Sequence, residues 1–185
     1  ETDRMTRLVR DLLTISKLDY GRMDWNITRF QPETLVRNLV DAMVMEARKR
    51  KLTLTLSVDG PLPEILADND RLGQVIANII SNAIKYTPEG GNITVTAAAR
   101  DHGAAITVQD DGIGIPEADL PHIFERFYRV DKARSRATGG TGLGLSIVRQ
   151  LAAMHGGTVS VSSQPGQGAT FTVTLPMDAK RGEKA

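Results

Sequence analysis

The stretch Asp68-Asn69-Asp70-Arg71-Leu72-Gly73-Gln74-Val75-Ile76-Ala77-Asn78-Ile79-Ile80-Ser81-Asn82-Ala83-Ile84-Lys85 places apolar side chains at Leu72, Val75, Ile76, Ile79, Ile80 and Ala83. Three-four spacing of this kind marks a helix lying on a core, and Asp68, Asn69 and Asp70 are the residue types that cap a helix start. The helix stops before Thr87-Pro88, because a proline disfavours helical geometry in the residue ahead of it. Gln74, Asn78, Asn82 and Lys85 stand one turn apart on a neighbouring stripe. Taken alone, such a row is more often a solvated face than a site. Chemically it also suits Mg²⁺ with phosphate, since the ion takes hard oxygen ligands and an ammonium neutralises phosphate charge.

Upstream, Leu52, Leu54, Leu56 and Val58 alternate with Thr53, Thr55 and Ser57, the pattern of a half-buried strand. A helix begins at Pro32 and carries Val36, Leu39, Val40, Met43 and Ala47; its basic run Arg48 to Lys51 suits a helix C-terminus. Trp25, Ile27 and Phe30 predict a short strand. Residues 1–20 read as a further helix with Met5, Leu8, Leu12 and Ile15 in its stripe, widened by Val9 and Leu13. Gly21 and the polar residues after it form a linker over 21–24, so this helix is expected to bury its stripe on a partner helix rather than on its own domain. The chain opens without a capping signal or an initiator Met, as an excised piece would.

Downstream, 93–99 and 104–110 predict two strands of a hairpin turned on Asp101-His102-Gly103. An acidic short helix is expected after Pro116, then an Arg-rich loop from about Arg129 to Gly142. A helix over 143–155 ends at Gly156-Gly157, strands over 158–163 and 169–175 turn on Gln164-Pro165-Gly166, and 177–185 read as a frayed tail. Three helices over a mixed, mainly antiparallel sheet make an α+β, two-layer sandwich.

Composition bounds the partners. The 185 residues are 41% hydrophobic, enough for one buried domain and an appendage, and 23 Lys+Arg against 22 Asp+Glu provide no basic field for nucleic acid. No cysteine is present, which removes disulfides and thiolate metal sites. No apolar run nears the roughly 20 residues of a membrane span.

Asp110 shares a strand face with Ile106 and Val108, so its carboxylate arrives where apolar groups point inward, while Asp111 faces the other way. An acid placed there needs a donor, and the exocyclic amine of adenine is one candidate; a strand-end Asp capping the next turn is the alternative. Gly112 and Gly114 follow at once and let backbone approach a flat ligand. Gly139, Gly140, Gly142 and Gly144 gather where the Arg-rich loop becomes a helix, which suits a phosphate or a hinge. The order fits neither a P-loop, which needs Gly-Lys-Ser/Thr, nor a Rossmann unit.

Four strings in sequence, Asn78-Ile79-Ile80-Ser81-Asn82-Ala83-Ile84-Lys85-Tyr86, Asp110-Asp111-Gly112-Ile113-Gly114, Phe124-Glu125-Arg126-Phe127-Tyr128 and Gly140-Thr141-Gly142-Leu143-Gly144-Leu145, resemble the N, G1, F and G2 boxes of sensor histidine kinases of two-component systems. The resemblance covers about residues 25–176. The opening through Leu12-Leu13 resembles the end of a second dimerisation helix, most like the WalK (VicK, YycG) type. The resemblance implies the Bergerat fold of the GHKL superfamily, with ATP under a mobile lid at about 125–142. It implies Asn82 as the Mg²⁺ ligand, Asn78 and Lys85 at the phosphates, Tyr86 near adenine and ribose, and Asp110 on the adenine amine. Gly112, Gly114 and Ile115 would line the base pocket, Gly140, Thr141, Gly142, Leu143, Gly144 and Leu145 would surround the phosphates, and Phe124 and Phe127 would anchor the lid. The lid cations Arg129, Lys132, Arg134 and Arg136 read as solvating charges.

The family's phosphoacceptor lies in a His-Glu-x-x-x-Pro-like box, which is missing here. The three histidines, His102, His122 and His155, read as a hairpin turn, a solvent-facing position and a helix C-terminus that favours a cation. The resemblance therefore implies a protein-histidine kinase catalytic portion that binds Mg-ATP and phosphorylates a histidine on an upstream helix, without autophosphorylating. It further implies a homodimer when full length, a response-regulator receiver as partner, and a cytoplasmic position in a membrane-anchored sensor. Hydrolytic cousins carry Glu at the position of Asn78, and an amide cannot take a proton from water.

Overall fold

The computed structural model describes residues 2–130 and 140–178. Its elements run α1 (Thr2–Asp19), β1 (Ile27–Phe30), α2 (Pro32–Lys49), β2 (Thr53–Asp59), β3 (Ile65–Asp68), α3 (Asn69–Tyr86), β4 (Asn92–Arg100), β5 (Gly103–Asp110), α4 (Gly144–Met154), β6 (Thr158–Ser163) and β7 (Ala169–Pro176). Five strands form one sheet in the order β2-β4-β5-β7-β6, with β2 and β4 parallel and the other pairs antiparallel. This is the mixed, mainly antiparallel sheet expected from the sequence.

Period-two alternation decides which face the helices cover. Ile93, Val95, Ile106, Val108, Phe171 and Val173 are buried under α2, α3 and α4. The opposite face is hydroxylic: Ser57, Thr96, Thr107, Thr172 and Ser160 stand in register across all five strands, and the Thr107 and Thr172 hydroxyls lie 3.1 Å apart. Helix α3 is the spine. Ile76, Ile79, Ile80 and Ile84 are at most 2% exposed, and each contributes about 2 kcal/mol by burial. That outweighs the contribution of any single exposed polar contact on its other edge.

Asp68 joins three elements. Its Oδ1 accepts from the Asp70 and Arg71 N–H groups as the cap of α3, and its Oδ2 accepts from Asn26 N–H just before β1. The pairing of β1 with β3 was not expected, because Ile65–Asp68 is too short to show alternation; it exists through its pairing with β1 and the cap that ends it. The acidic helix expected after Pro116 is instead a succession of turns with three-residue hydrogen bonds, such as Asp119 N–H to Pro116 O and His122 N–H to Asp119 O. Pro121 in its midst lacks an N–H and steers Leu120 away from helical geometry.

Helix α1 behaves differently from the expectation as well. Asp11, Thr14 and Ile15 are buried against the rest of the chain, chiefly α4, while Met5, Val9, Leu12 and Leu13 are exposed. The stripe is thus split, one edge on its own domain and one edge uncovered. Met177 and Asp178, read as tail, are held by Leu66 N–H to Met177 O at 2.7 Å and by Arg29 to Asp178 at 3.2 Å. Residues 179–185 lie outside the described residues. Among the described residues no helix is long and apolar enough to cross a membrane.

His155, read as a cation at a helix end, is 1% exposed and plays another part. Its Nδ1 lies 2.7 Å from Leu151 O, its Nε2 accepts from Asp68 N–H at 3.2 Å, and Trp25 packs edge-on against the ring at 5.3 Å. One nitrogen donating and one accepting is the pattern of neutral imidazole. His155→Ala leaves a cavity and the buried Asp68 N–H without its acceptor, while Leu151 O keeps the N–H of residue 155, and should lower unfolding free energy by about 3 kcal/mol. His122→Ala, at an exposed His122–Glu125 pair, should change it by less than about 0.5 kcal/mol. Urea titration of both variants checks the contrast.

Candidate functional site

Because α3 buries its isoleucines, Gln74, Asn78, Asn82 and Lys85 are left half-exposed along one edge. At the N-terminal side of that row the Asn78 amide reaches Gly144 O at 3.4 Å, and a Cβ added to Gly144 would lie 3.8 Å from the same amide. Here the edge of α3 meets the first turn of α4, whose leading N–H groups have no partners within the helix. At the other end, eight residues or about 12 Å further along, the Tyr86 carbonyl accepts from Ile113 N–H at 3.2 Å. A Cβ on Gly112 would come within 2.6 Å of that carbonyl, so a side chain at this position would force the backbones apart.

Asp110 closes this end. It is 8% exposed, and its Oδ1 accepts from Gly112 N–H at 2.9 Å and Ala169 N–H at 3.3 Å. Burial pushes its carboxyl above the usual carboxylate range against the pull of those two donors, and the Asp111 charge adds to the rise. Among the described residues Oδ2 receives no hydrogen bond, so one oxygen is fixed by backbone and the other remains an acceptor. Asp111 points away, as expected: the Asn92 side chain and N–H hold its carboxyl below the usual range. The acid at the inward position thus has its own donors, and both go to one oxygen.

The glycines divide by cause. Gly114 has φ +70°, and the Gln164 carbonyl fills the space where its Cβ would sit, so contact with the β6–β7 turn explains it without a ligand. Gly142 has φ +74° and lies on the Phe127 backbone, whose N–H donates to Gly142 O at 2.8 Å. This bond ties together the two ends of the segment read as a lid. Phe127 itself sits at φ 64° and is 60% exposed, so its tie to Gly142 is made by backbone and not by side chain. Phe124 packs edge-on against Phe171. Ile115 is half-buried, with its N–H on Ser163 Oγ at 2.8 Å.

At the entry to α4, Gly140 and Thr141 are half-buried, Leu143 is fully buried, and Leu145 packs partly on the core. The side chain of Leu143 therefore belongs to the core, and its N–H donates to Thr141 Oγ1 at 3.3 Å. Lys85 lies with its ammonium 4.8 Å from the centre of the Tyr86 ring, toward the Asp110 end of the row and about 10 Å along α3 from Asn78. Asn82 stands between them. Gly139, Lys132, Arg134 and Arg136 lie outside the described residues; Arg129 is half-buried. A separate groove of about 440 Å³, lined by Glu117, Leu120, Ser163, Gln164, Pro165 and Gln167, contains none of the candidate nucleotide-site residues read from sequence. Among the described residues no cluster of three His, Cys, Asp or Glu could hold a metal.

Two groups at the site carry no signal in the sequence. Ala169 contributes only its N–H, delivered to Asp110 by a turn in which Gly168, at φ +77°, sits on the Asp110 carbonyl. Asp11, on α1, accepts from Thr141 Oγ1 at 3.0 Å from 130 residues away.

The family described as Histidine kinase-, DNA gyrase B-, and HSP90-like ATPase matches residues 67–179. Sensor histidine kinase WalK of Bacillus subtilis is 42% identical over 178 residues, covering 95% of this chain and 29% of that protein. Sensor-like histidine kinase SenX3 of Mycolicibacterium smegmatis is 39% identical over 177 residues, covering 95% and 46%. The chain spans less than half the length of these relatives. A crystal structure of full-length ShkA in complex with AMPPNP superposes with a TM-score of 0.83 at 35% identity, covering 97% of this chain and 37% of that one. The matched span takes in the amide row, the glycine-flanked acid and the start of α4, and on that ground the chain belongs to the histidine kinase-, DNA gyrase B- and HSP90-like ATPase family, as a catalytic domain of the sensor histidine kinase type.

Proposed function

We propose that this chain binds Mg-ATP in the cleft between the polar edge of α3, the Asp110-Gly112 end of β5 and the start of α4, and hands the γ-phosphate to a histidine on an upstream dimerisation helix. The observation that carries the reading is Asp110. A buried carboxylate with one oxygen held by two N–H groups and the other unengaged is an acceptor waiting for a donor, and the amine of adenine supplies one beside the bare backbone of Gly112. The nucleotide bound by ShkA, a relative of the same fold, supports this.

From that anchor the base would extend past Tyr86 and Ile115, and the phosphates would run along α3 toward Asn78 and the glycine-flanked start of α4. There the helix N-terminus favours an anion. Lys85 would swing from the Tyr86 ring to neutralise phosphate charge. Mg²⁺ fits the donors present: the ion keeps several waters and takes few protein oxygens beside substrate phosphates, which the Asn82 carboxamide can satisfy without an acidic cluster. When bound, the ion spreads the charge of the transferring phosphoryl group. The chain's own part is alignment and exclusion of water under the lid at about 125–142.

The acceptor histidine lies elsewhere. His155 is buried, His122 pairs with Glu125 and His102 sits exposed in the β4–β5 turn. Asn78 cannot serve as a base toward water, which favours transfer over hydrolysis. The uncovered edge of α1 at Met5, Val9, Leu12 and Leu13 suits residues 1–20 as the end of a dimerisation helix in a homodimer. Residues 25–176 form the catalytic unit in this reading. Downstream, the phosphate would pass to an Asp of a response-regulator receiver, with the whole protein anchored at a membrane and this portion in the cytoplasm.

Asp110→Asn keeps an acceptor for Gly112 and Ala169 but turns an amide N–H₂ toward the adenine amine, so calorimetry should find ADP weakened about 10- to 100-fold and GDP much less. Unchanged ADP affinity removes Asp110 from the pocket. Asn82→Ala should abolish the gain in ADP affinity on adding Mg²⁺ while leaving the metal-free affinity as it was. With radiolabelled ATP the chain should not label itself yet should label an added dimerisation-helix fragment bearing the acceptor histidine; tight nucleotide binding without such transfer would indicate a silent nucleotide-sensing module.

A further inference from the structure

We propose that Asp11 is a positioning residue of the nucleotide site, holding the 140–144 backbone in its phosphate-receiving shape through the hydroxyl of Thr141. The proposal rests on the Mg-ATP reading above. Asp11 is 9% exposed on the inward edge of α1, and its Oδ2 accepts from Thr141 Oγ1 at 3.0 Å. A hydroxyl has one proton and an ionised carboxylate can only accept, so this contact fixes the direction of the Thr141 O–H. The Thr141 lone pairs are then turned to accept the Leu143 N–H at 3.3 Å, across the left-handed residue Gly142.

The segment is thereby held from both sides. Phe127 N–H grips Gly142 O from the near end of the lid, and the Leu143 side chain, 0% exposed, plugs into the core. Of residues 140–144, three are glycines and Leu143 is fixed in the core, which leaves Thr141 as the one with a side chain free to rotate, and Asp11 removes that freedom. Helix α1 is kept in register for the task by a second contact two turns along, where both oxygens of Asp19 accept from the Arg126 guanidinium at 2.8 and 2.5 Å. Thr14 and Ile15 are buried between the two contacts. Burial pushes the Asp11 carboxyl above its ordinary value, while the Thr141 hydrogen bond and then Arg7 and Arg10 pull it back. A carboxylate in such a place is costly unless bonded, and Thr141 is the group that bonds it.

If Asp11 acts this way, its loss is felt by phosphates and not by the base. Calorimetry on the full 185-residue chain with Mg-ADP and with adenosine separates the two. Asp11→Ala should weaken Mg-ADP about tenfold, the effect of losing one hydrogen bond to a charged acceptor, and leave adenosine affinity unchanged. Asp11→Asn, which keeps the volume and an acceptor oxygen, should recover most of the loss. In a Thr141→Val background Asp11→Ala should cost nothing further, because the two act as one unit. Equal loss of Mg-ADP and adenosine, or additive effects in the double variant, would overturn the proposal in favour of a merely structural contact. Wild-type Mg-ADP affinity in a folded Asp11→Ala would overturn it too. Should the unaltered chain bind adenosine but gain nothing from the phosphates of Mg-ADP, the proposal falls while the Asp110 pocket stands; binding of neither removes the underlying reading.

Discussion

Burial of one face of α3 is the constraint from which the site follows. Four isoleucines of that helix are closed off under the sheet and against α4, and at about 2 kcal/mol each they fix its rotation more firmly than any surface contact could. Once the rotation is set, the edge bearing Gln74, Asn78, Asn82 and Lys85 has no choice of direction. It faces the gap where β5 ends at one extreme and α4 begins at the other. The direction of this polar row is the by-product of a hydrophobic decision.

The same packing explains why glycines mark the two ends of the cleft, though for unlike reasons. Gly112 is required because the α3 C-terminal carbonyl of Tyr86 comes down on it, and Gly168 because it lies on the carbonyl of Asp110. These close approaches deliver two N–H groups to a carboxylate that burial alone would make untenable. Gly144, in contrast, meets only the Asn78 amide at ordinary contact distance, and its openness is what leaves the start of α4 accessible. Counting glycines in a motif does not separate these roles; the neighbour of each missing Cβ does.

Much of this was legible in the sequence because it is periodic. The α3 stripe, the alternation in β2, β4, β5 and β7, and the inward setting of Asp110 all follow from spacing within a single element, and the two-layer sandwich follows from their sum. What escaped depends on contacts between elements distant in sequence. Strand β3 is four residues long and owes its existence to β1. His155 looked like a cation at a helix C-terminus because nothing within its own helix tells of Asp68 N–H above it. The stripe of α1 could be seen, but not that Asp11 and Ile15 would turn one edge of it toward α4 while Leu12 and Leu13 stayed uncovered. The turns after Pro116 were a failure of local reading, since Pro121 was in plain view.

The hydroxyl-lined face of the sheet has a consequence for what the molecule does not do. Threonine retains the branched carbon that strands favour while offering water a donor and an acceptor, so this wall can stay wet without losing strand character and needs no third layer to shield it. Stacking a second sheet on it would strip solvent from a grid of hydroxyls with little given in return. The apolar burial of the domain is thereby confined to the helical side of the sheet.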